Sequence, residues 1–363
     1  MTERCIGGFG EVMLRLCPAG KGRFAQALPG SLEATFGGGE ANVCASVAML
    51  GGRSRYLTAL PEHAIARAFA AQMAGFGVDV SRIHYAPVGR MGVYYAEHGS
   101  NMRGSNVLYD RDGATVALLG PEAYDFTAML AGISHLHLTG ITPALSEKAY
   151  LATLAIARHA VQAGVAVSVD LNYRKKLWNW EAGTSKNALA SRCMGEIAAL
   201  AEVIIGNEED AADVFGIHAA DTSVEGGRLT AAAYRYVAAQ LSARFPRARH
   251  VAITLRESFS ADHNNWGGML YDCGSRQAFF APLDGAGHYS PYELGAIVDR
   301  FGGGDSFCAG LLVALAELPP AEAIRFAVAA SALKHTIRGD FNYSSRAEVE
   351  ALMGGSTSGR VKR

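Results

Sequence analysis

The chain has 363 residues, half of them hydrophobic, and 33 Lys plus Arg stand against 34 Asp plus Glu for a formal charge of -1. That composition supports a sizeable core and excludes a wholly disordered chain. The near-neutral balance lacks the basic excess that nucleic-acid and membrane surfaces carry, so neither partner is expected.

Taken in chain order, "CIGGFGEVML" (5–14) opens as a short apolar run read as a buried strand. Residues 14–36 are rich in Gly, Pro and Ala and only weakly periodic, and a helix is expected over 40–50. Between 88 and 120, "MGVYYAEHGSN" and "SNVLYDRDGATVALL" have the look of a hairpin pair with Gly and Asn turns. The two segments, about 12–36 and 88–120, are expected to leave the main sheet as a small β lid; an antiparallel edge extension is the equal alternative from pattern alone. Four further apolar runs, "ISHLHLTG", "VAVSVDLN", "AEVIIGN" and "HVAITL", read as strands. Helical patterns at 146–164, 207–216 and 229–245 fall between them. This alternation predicts a doubly wound α/β fold in a single domain over 1–363, with a mostly parallel sheet and helices on both faces. The tail from 354 onward is expected to fray.

The six cysteines (Cys5, Cys17, Cys44, Cys193, Cys273 and Cys308) show no C-x-x-C spacing and sit mostly in apolar segments. They read as free thiols of a reducing compartment. The first residues lack a signal peptide's apolar core, and no apolar run approaches the ~20 residues of a membrane span. A soluble, cytoplasmic protein is expected.

Two Gly-rich stretches carry the chemistry. In "VDRFGGGDSFCAG" (298–310) the glycines allow close backbone approach, and a helix starting at Asp305 adds its positive end to their amides. Such a pocket suits a phosphate. It is neither a P-loop nor a dinucleotide G-x-G-x-x-G. Taken alone, the run reads as an aspartate capping a helix. In "FGGGEANVCASVAMLGG" (36–52), Gly38, Gly39 and Asn42 would face the open end of the sheet with amides available to hydroxyls. His135 and His137 alternate on one strand and read as core, since no further ligand follows at metal spacing.

Together, "GGGEAN" and "DRFGGGDSFCAG" resemble the paired signatures of the ribokinase-like (PfkB-type) carbohydrate kinases, and "VDLNYRKKLW", "IIGNEEDAADVFG" and "AITL" follow in the expected order. The resemblance covers almost the whole chain. Within the family, "SHLHLTGITPALS", "DLNYRKKLW", "VLYDRDGA" and "FAVAASALKHTIRGDFN" resemble the 2-keto-3-deoxygluconate kinases. It implies ATP-dependent phosphorylation of a small sugar acid, with Asp305 as the base and the amides of Gly302, Gly303 and Gly304 as the anion hole. It further implies sugar contacts from Gly38, Asn42, Tyr94 or Tyr95, Tyr109, Arg111 and Arg174, the arginines suiting a carboxylate. Mg²⁺ is expected, held mainly by phosphates and water. Asn207 and Asp210 match the family's N-x-x-E element, with a shorter Asp in the last place. Thr254, Gly304, Lys334 and Asn342 are the nucleotide-side candidates, and Asp299 is a candidate for a K⁺ site.

The resemblance also implies a homodimer with its lids packed together. "RESFSADHNNWGGML" (256–270) replaces the family's compact Gly-rich turn and leaves the adenine pocket open. Arg300 has no role in this reading. The alternatives are a kinase for a neutral sugar such as fructose or ribose, and a non-catalytic binding relative. An NAD-dependent enzyme is disfavoured because the Gly clusters fall at the wrong places in the order.

Overall fold

The structure, a computed structural model, describes residues 4–207, 209–218 and 231–356. Glu208, the opening of the helix expected at 229–245 and the end of the tail lie outside the described residues. The first apolar run divides into β1 (Cys5–Phe9) and β2 (Met13–Cys17), followed by β3 (Glu33–Gly37), β4 (Arg53–Leu57) and β5 (Ala59–Pro61). Next come β6 (His84–Ala86), β7 (Gly92–Glu97) and β8 (Asn106–Asp110). The strands β9 (His135–Thr139), β10 (Ala166–Asp170) and β11 (Val203–Gly206) alternate with helices. The last strands are β12 (His250–Ser260), β13 (His263–Asp272), β14 (Gln277–Ala281) and β15 (Tyr292–Leu294).

The main sheet runs β14-β13-β12-β11-β10-β9-β1-β4, with β15 beside β13. Neighbours from β12 to β4 are parallel, and those beyond β12 are antiparallel. β1 is buried along its whole length, as a parallel strand covered on both faces must be. Side-chain alternation divides the core in two. Ile204 and Ile253 pack with Leu136, Val167 and the helices Glu147–Gln162 and Lys186–Ala198. Val203, Ile205 and Ala252 pack on the other face with the helices Gly303–Ala314 and Pro320–Lys334. This is the doubly wound α/β arrangement expected. The chain leaves β1 on one side for β4 and later lays β9 on the other side, so a crevice opens at the carboxyl ends of the central strands.

Segments 12–36 and 88–120 supply a separate four-stranded sheet, β3-β2-β7-β8, antiparallel except for β2 beside β7. Residues 256–270, to which sequence patterning assigns no element, instead prolong β12 and β13 into one hairpin paired from His250↔Asp272 to Ser260↔His263. Its tip rests against loops of the small sheet. Lys21 pairs with Asp262 at 2.6 Å, and the Ala261 N–H donates to the Asn101 carbonyl at 2.8 Å. No described helix is long and apolar enough to cross a membrane.

Candidate active site

A cleft of about 300 Å³ lies at the strand ends, lined by Asp170, Gly206 and Thr254 from the main sheet and by Met13, Tyr94 and Tyr109 from the small one. The helix Gly303–Ala314 points its start into this cleft, two residues earlier than the sequence indicates. Gly302 is the cap residue, at φ 76°, and a Cβ there would overlap the Asp340 carbonyl. Only glycine meets both demands. Gly302→Ala is therefore expected to cost more than about 2 kcal/mol, read as a lowered urea midpoint together with lost activity.

Asp305 stands in the first turn but does not cap the helix. Its Oδ2 accepts from Asn42 Nδ2 at 2.6 Å, so the simple capping alternative for the GGGD run is not the one realised. Burial pushes the Asp305 carboxyl up to about 6, although the Asn42 hydrogen bond and the charges of Arg174 and Lys334 pull the other way. Asn42 Oδ1 accepts the Gly38 N–H at 3.3 Å, and one side-chain amide thereby joins the two Gly-rich turns. The helix Gly39–Met49 that carries Asn42 is fixed by buried Glu40. Glu40 Oε1 accepts from the Thr139 N–H at 3.0 Å, from Thr139 Oγ1 at 2.8 Å and from Thr142 Oγ1 at 3.2 Å. Gly39 faces Asp305: a Cβ there would lie 3.8 Å from Oδ1.

The opposite wall is acidic with one exposed cation. Asp170 ends β10, and its carboxyl is pushed well above the ordinary range by burial and by the charges of Asp210 and Asp305. The exposed Arg174 lines the same cleft, and its charge acts on Asp170, Asp210 and Asp305 alike. Asn207 and Asp210 brace each other: Asn207 Oδ1 accepts the Asp210 N–H at 3.0 Å, and Asp210 Oδ2 accepts the Asn207 N–H at 2.8 Å. Asp210 Oδ1 also accepts the Tyr173 N–H at 3.0 Å, which fixes the loop carrying Arg174. The shorter Asp thus serves backbone amides.

The cleft gathers Gly38, Gly39, Asn42, Tyr94, Tyr109, Arg174, Asn207, Asp210, Thr254, Asp305 and the three glycines 302–304. Other expected residues lie elsewhere. Strand alternation turns Tyr95 to the far face of the small sheet, against Phe24, while the Tyr94 hydroxyl donates to Asp340 at 2.7 Å. Arg111 is buried in an ion pair with Glu11, beneath Tyr109 and not facing the cleft. Lys334 is buried behind Gly302, and its Nζ donates to the Ile337 carbonyl at 3.1 Å. Asn342 is buried too, its Oδ1 spent on the Ser344 N–H at 2.9 Å. His137 shares a 2.9 Å hydrogen bond with Ser168, and burial lowers its pKa to about 3, as a neutral core histidine requires.

Sequence reasoning missed Asp170, Asn172, Arg256, Trp266 and Asp340, all of which line the cleft. Asp170 and Asn172 stand first and third in "DLNYRKKLW", and Asp340 lies in "FAVAASALKHTIRGDFN", but neither stretch shows by itself which residue faces the cleft. Arg300 now has a partner set: its Nη2 donates to the Ser260 carbonyl at 2.8 Å and to Asn264 Oδ1 at 2.5 Å, tying the Gly302 turn to the long hairpin.

The family model for pfkB family carbohydrate kinases matches residues 9–255 and 269–344. The chain belongs to the pfkB family of carbohydrate kinases. It is therefore a phosphotransferase acting on a sugar. The stretch the family pattern skips is the outer part of the β12–β13 hairpin. The kinase is similar to the 2-dehydro-3-deoxygalactonokinase of Haloferax volcanii, 29% identical over 354 residues and 97% of each chain. The 2-dehydro-3-deoxygluconokinase of Thermoproteus tenax is 26% identical over 306 residues, 84% of this chain and 80% of the relative. Among solved structures, the 2-dehydro-3-deoxygluconokinase of Thermotoga maritima superposes with a TM-score of 0.86 at 35% identity, covering 97% of this chain and 99% of the other.

Two cations were expected, and the site treats them differently. Among the described residues no group of three His, Cys, Asp or Glu is placed to hold a metal ion, so Mg²⁺ would rest mainly on phosphates and water, with Asp170 beside it in the cleft. Asp299 does not fit K⁺: Oδ2 accepts from Arg15 Nη2 at 2.8 Å and from the Gly339 N–H at 3.0 Å, while Oδ1 accepts the Phe301 N–H at 3.1 Å.

Proposed function

We propose that this kinase transfers the γ-phosphoryl group of ATP to a hydroxyl of 2-keto-3-deoxygluconate or a close epimer. The observation that carries the reading is an exposed Arg174 in the same cleft as Asp305, where a bound sugar would meet both. The relatives named for 2-dehydro-3-deoxy sugar acids support it. A fructose or ribose kinase would offer the guanidinium no sugar carboxylate.

In this reading the substrate oxygen attacks the γ-phosphorus, its bond to the β-phosphate oxygen breaks, and the hydroxyl proton passes to Asp305. The first-turn amides of Gly304 and Asp305 have no intrahelical acceptor, and they meet the charge of the transferred group. Gly303 contributes less, since its amide already reaches the Arg300 carbonyl at 3.4 Å. Arg174 pairs with the sugar carboxylate. Gly38, Asn42, Tyr94 and Tyr109 surround the hydroxyls. Asn207 and Thr254 face the nucleotide, with Arg256 and Arg300 beside them. Bound Mg²⁺ would neutralise phosphate charge along the acidic edge at Asp170. The four-stranded sheet acts as the lid.

The test is an ATP-coupled assay over 2-keto-3-deoxygluconate, 2-keto-3-deoxygalactonate, fructose and ribose. The sugar acids are expected to exceed the neutral sugars in kcat/KM by about 100-fold, the scale of one charged hydrogen-bond pair. Turnover of neutral sugars alone would reject the substrate. Homodimerisation through the lids belongs to the same reading: β8 is the edge of the small sheet, and its Leu108 is 60% exposed. Light scattering should give twice the chain mass; a stable monomer removes the dimer. A cytoplasmic location accords with six free cysteines.

A further inference from the structure

Arg15 reaches from β2 of the small sheet into the ground behind the Gly302 turn, and it is 2% exposed. Its Nη2 donates to Asp299 Oδ2 at 2.8 Å and lies 2.9 Å from His98 Nε2, and its Nη1 donates to Asp340 Oδ1 at 2.6 Å. Its Cζ stands 4.5 Å from the Phe301 ring centre. Burial works against the guanidinium's charge, but Asp340 and Asp299 more than offset it.

An alkali cation is held by a cage of oxygen atoms turned towards it. At Asp299 the carboxylate oxygens instead face Arg15 and two backbone N–H groups. Two cations already face this pair of carboxylates: Arg15 bonds both, and the ammonium of buried Lys334 feels both together with Asp305. The same guanidinium joins three segments that shape the anion-binding turn: β2, residues 299–301 before the cap, and Asp340, whose carbonyl sits under Gly302.

We propose that Arg15 is a built-in cation that replaces a bound monovalent ion: it clamps Asp299 and Asp340 behind the Gly302 turn, so that the kinase works without K⁺. Arg15 is a positioning residue, and its effect on turnover rests on the phosphoryl-transfer reading above.

The experiment has an arm independent of that reading. The melting midpoint of the wild-type protein, in KCl and in tetramethylammonium chloride at equal ionic strength, is expected to agree within about 1 °C, because no ion binds the native state alone. A K⁺-specific rise of several degrees overturns the proposal whatever the substrate is. On the most active sugar of the panel, kcat should agree within about twofold between the two salts, and a fivefold or larger activation by K⁺ overturns it too. Arg15→Ala is expected to lose about 30-fold or more in kcat and to regain at least about threefold of that with methylguanidinium or K⁺. A folded variant with wild-type kcat, or one rescued by neither ion, counts against the clamp. If Arg15→Ala does not fold, the wild-type salt comparisons and Arg15→Lys decide. The lysine variant should fall several-fold in kcat, because one ammonium cannot serve both carboxylates as the planar fork does. An unchanged Arg15→Lys rejects the clamp.

Discussion

Asp305→Asn is expected to lower kcat about 10³-fold while leaving the fold intact, since the substitution is isosteric and removes only the proton acceptor. Its signature is in the pH profile. The free carboxyl titrates at about 6, raised chiefly by burial. Below that pH Asp305 holds a proton and cannot accept another, and above it the base is ready. The wild-type kcat/KM should therefore climb with pH through an inflection near 6 and level off beyond it. Steady-state rates from pH 5 to 8 test both parts. An Asn variant retaining more than about a tenth of wild-type kcat rejects the base, given the usual size of the effect.

Arg174→Ala should act on the other parameter. An exposed guanidinium contributes little to folding, but a carboxylate deprived of it loses a charge-assisted pair. The KM for the sugar acid is expected to rise about 30- to 150-fold, with kcat changed much less. A second effect distinguishes it from a general disturbance. The Arg174 charge holds down the Asp305 carboxyl, so its removal should move the kcat/KM inflection to higher pH. Kinetics of the variant across the same pH range give both numbers. An unchanged KM would remove Arg174 from the substrate site.

Much of this architecture is visible in the sequence because the parallel strands are buried on both faces and read as short apolar runs, as in "AEVIIGN". The outer part of the β12–β13 hairpin was not visible. Residues such as Asp262, Asn264 and Asn265 have poor strand propensity, and what holds them in strands is pairing with a partner and contact with the small sheet. In the site, Asp305 and Asn42 were legible because each stands near the start of a helix that opens on a glycine run, and Arg174 because it follows a strand end. Tyr94 and Tyr95 could not be separated without knowing which face of β7 is covered. Arg111 and Asp299 failed for a shared reason: each has a charged partner, Glu11 or Arg15, more than 90 residues away in sequence and invisible to local pattern.

The bond between Asn42 and Asp305 spans 263 positions. The helix that carries Asn42 is buried along most of its length, and the helix Gly303–Ala314 packs against it. On a ribosome adding about 5–20 residues per second, roughly 13 to 53 s separate the emergence of these two helices. Through that interval the helix carrying Asn42 has β1 and β4 against it but lacks its C-terminal neighbour, and the N-terminal half has no reactive centre at all. Any truncation before the last quarter of the chain would thus remove both Asp305 and the helix that packs on the one carrying Asn42.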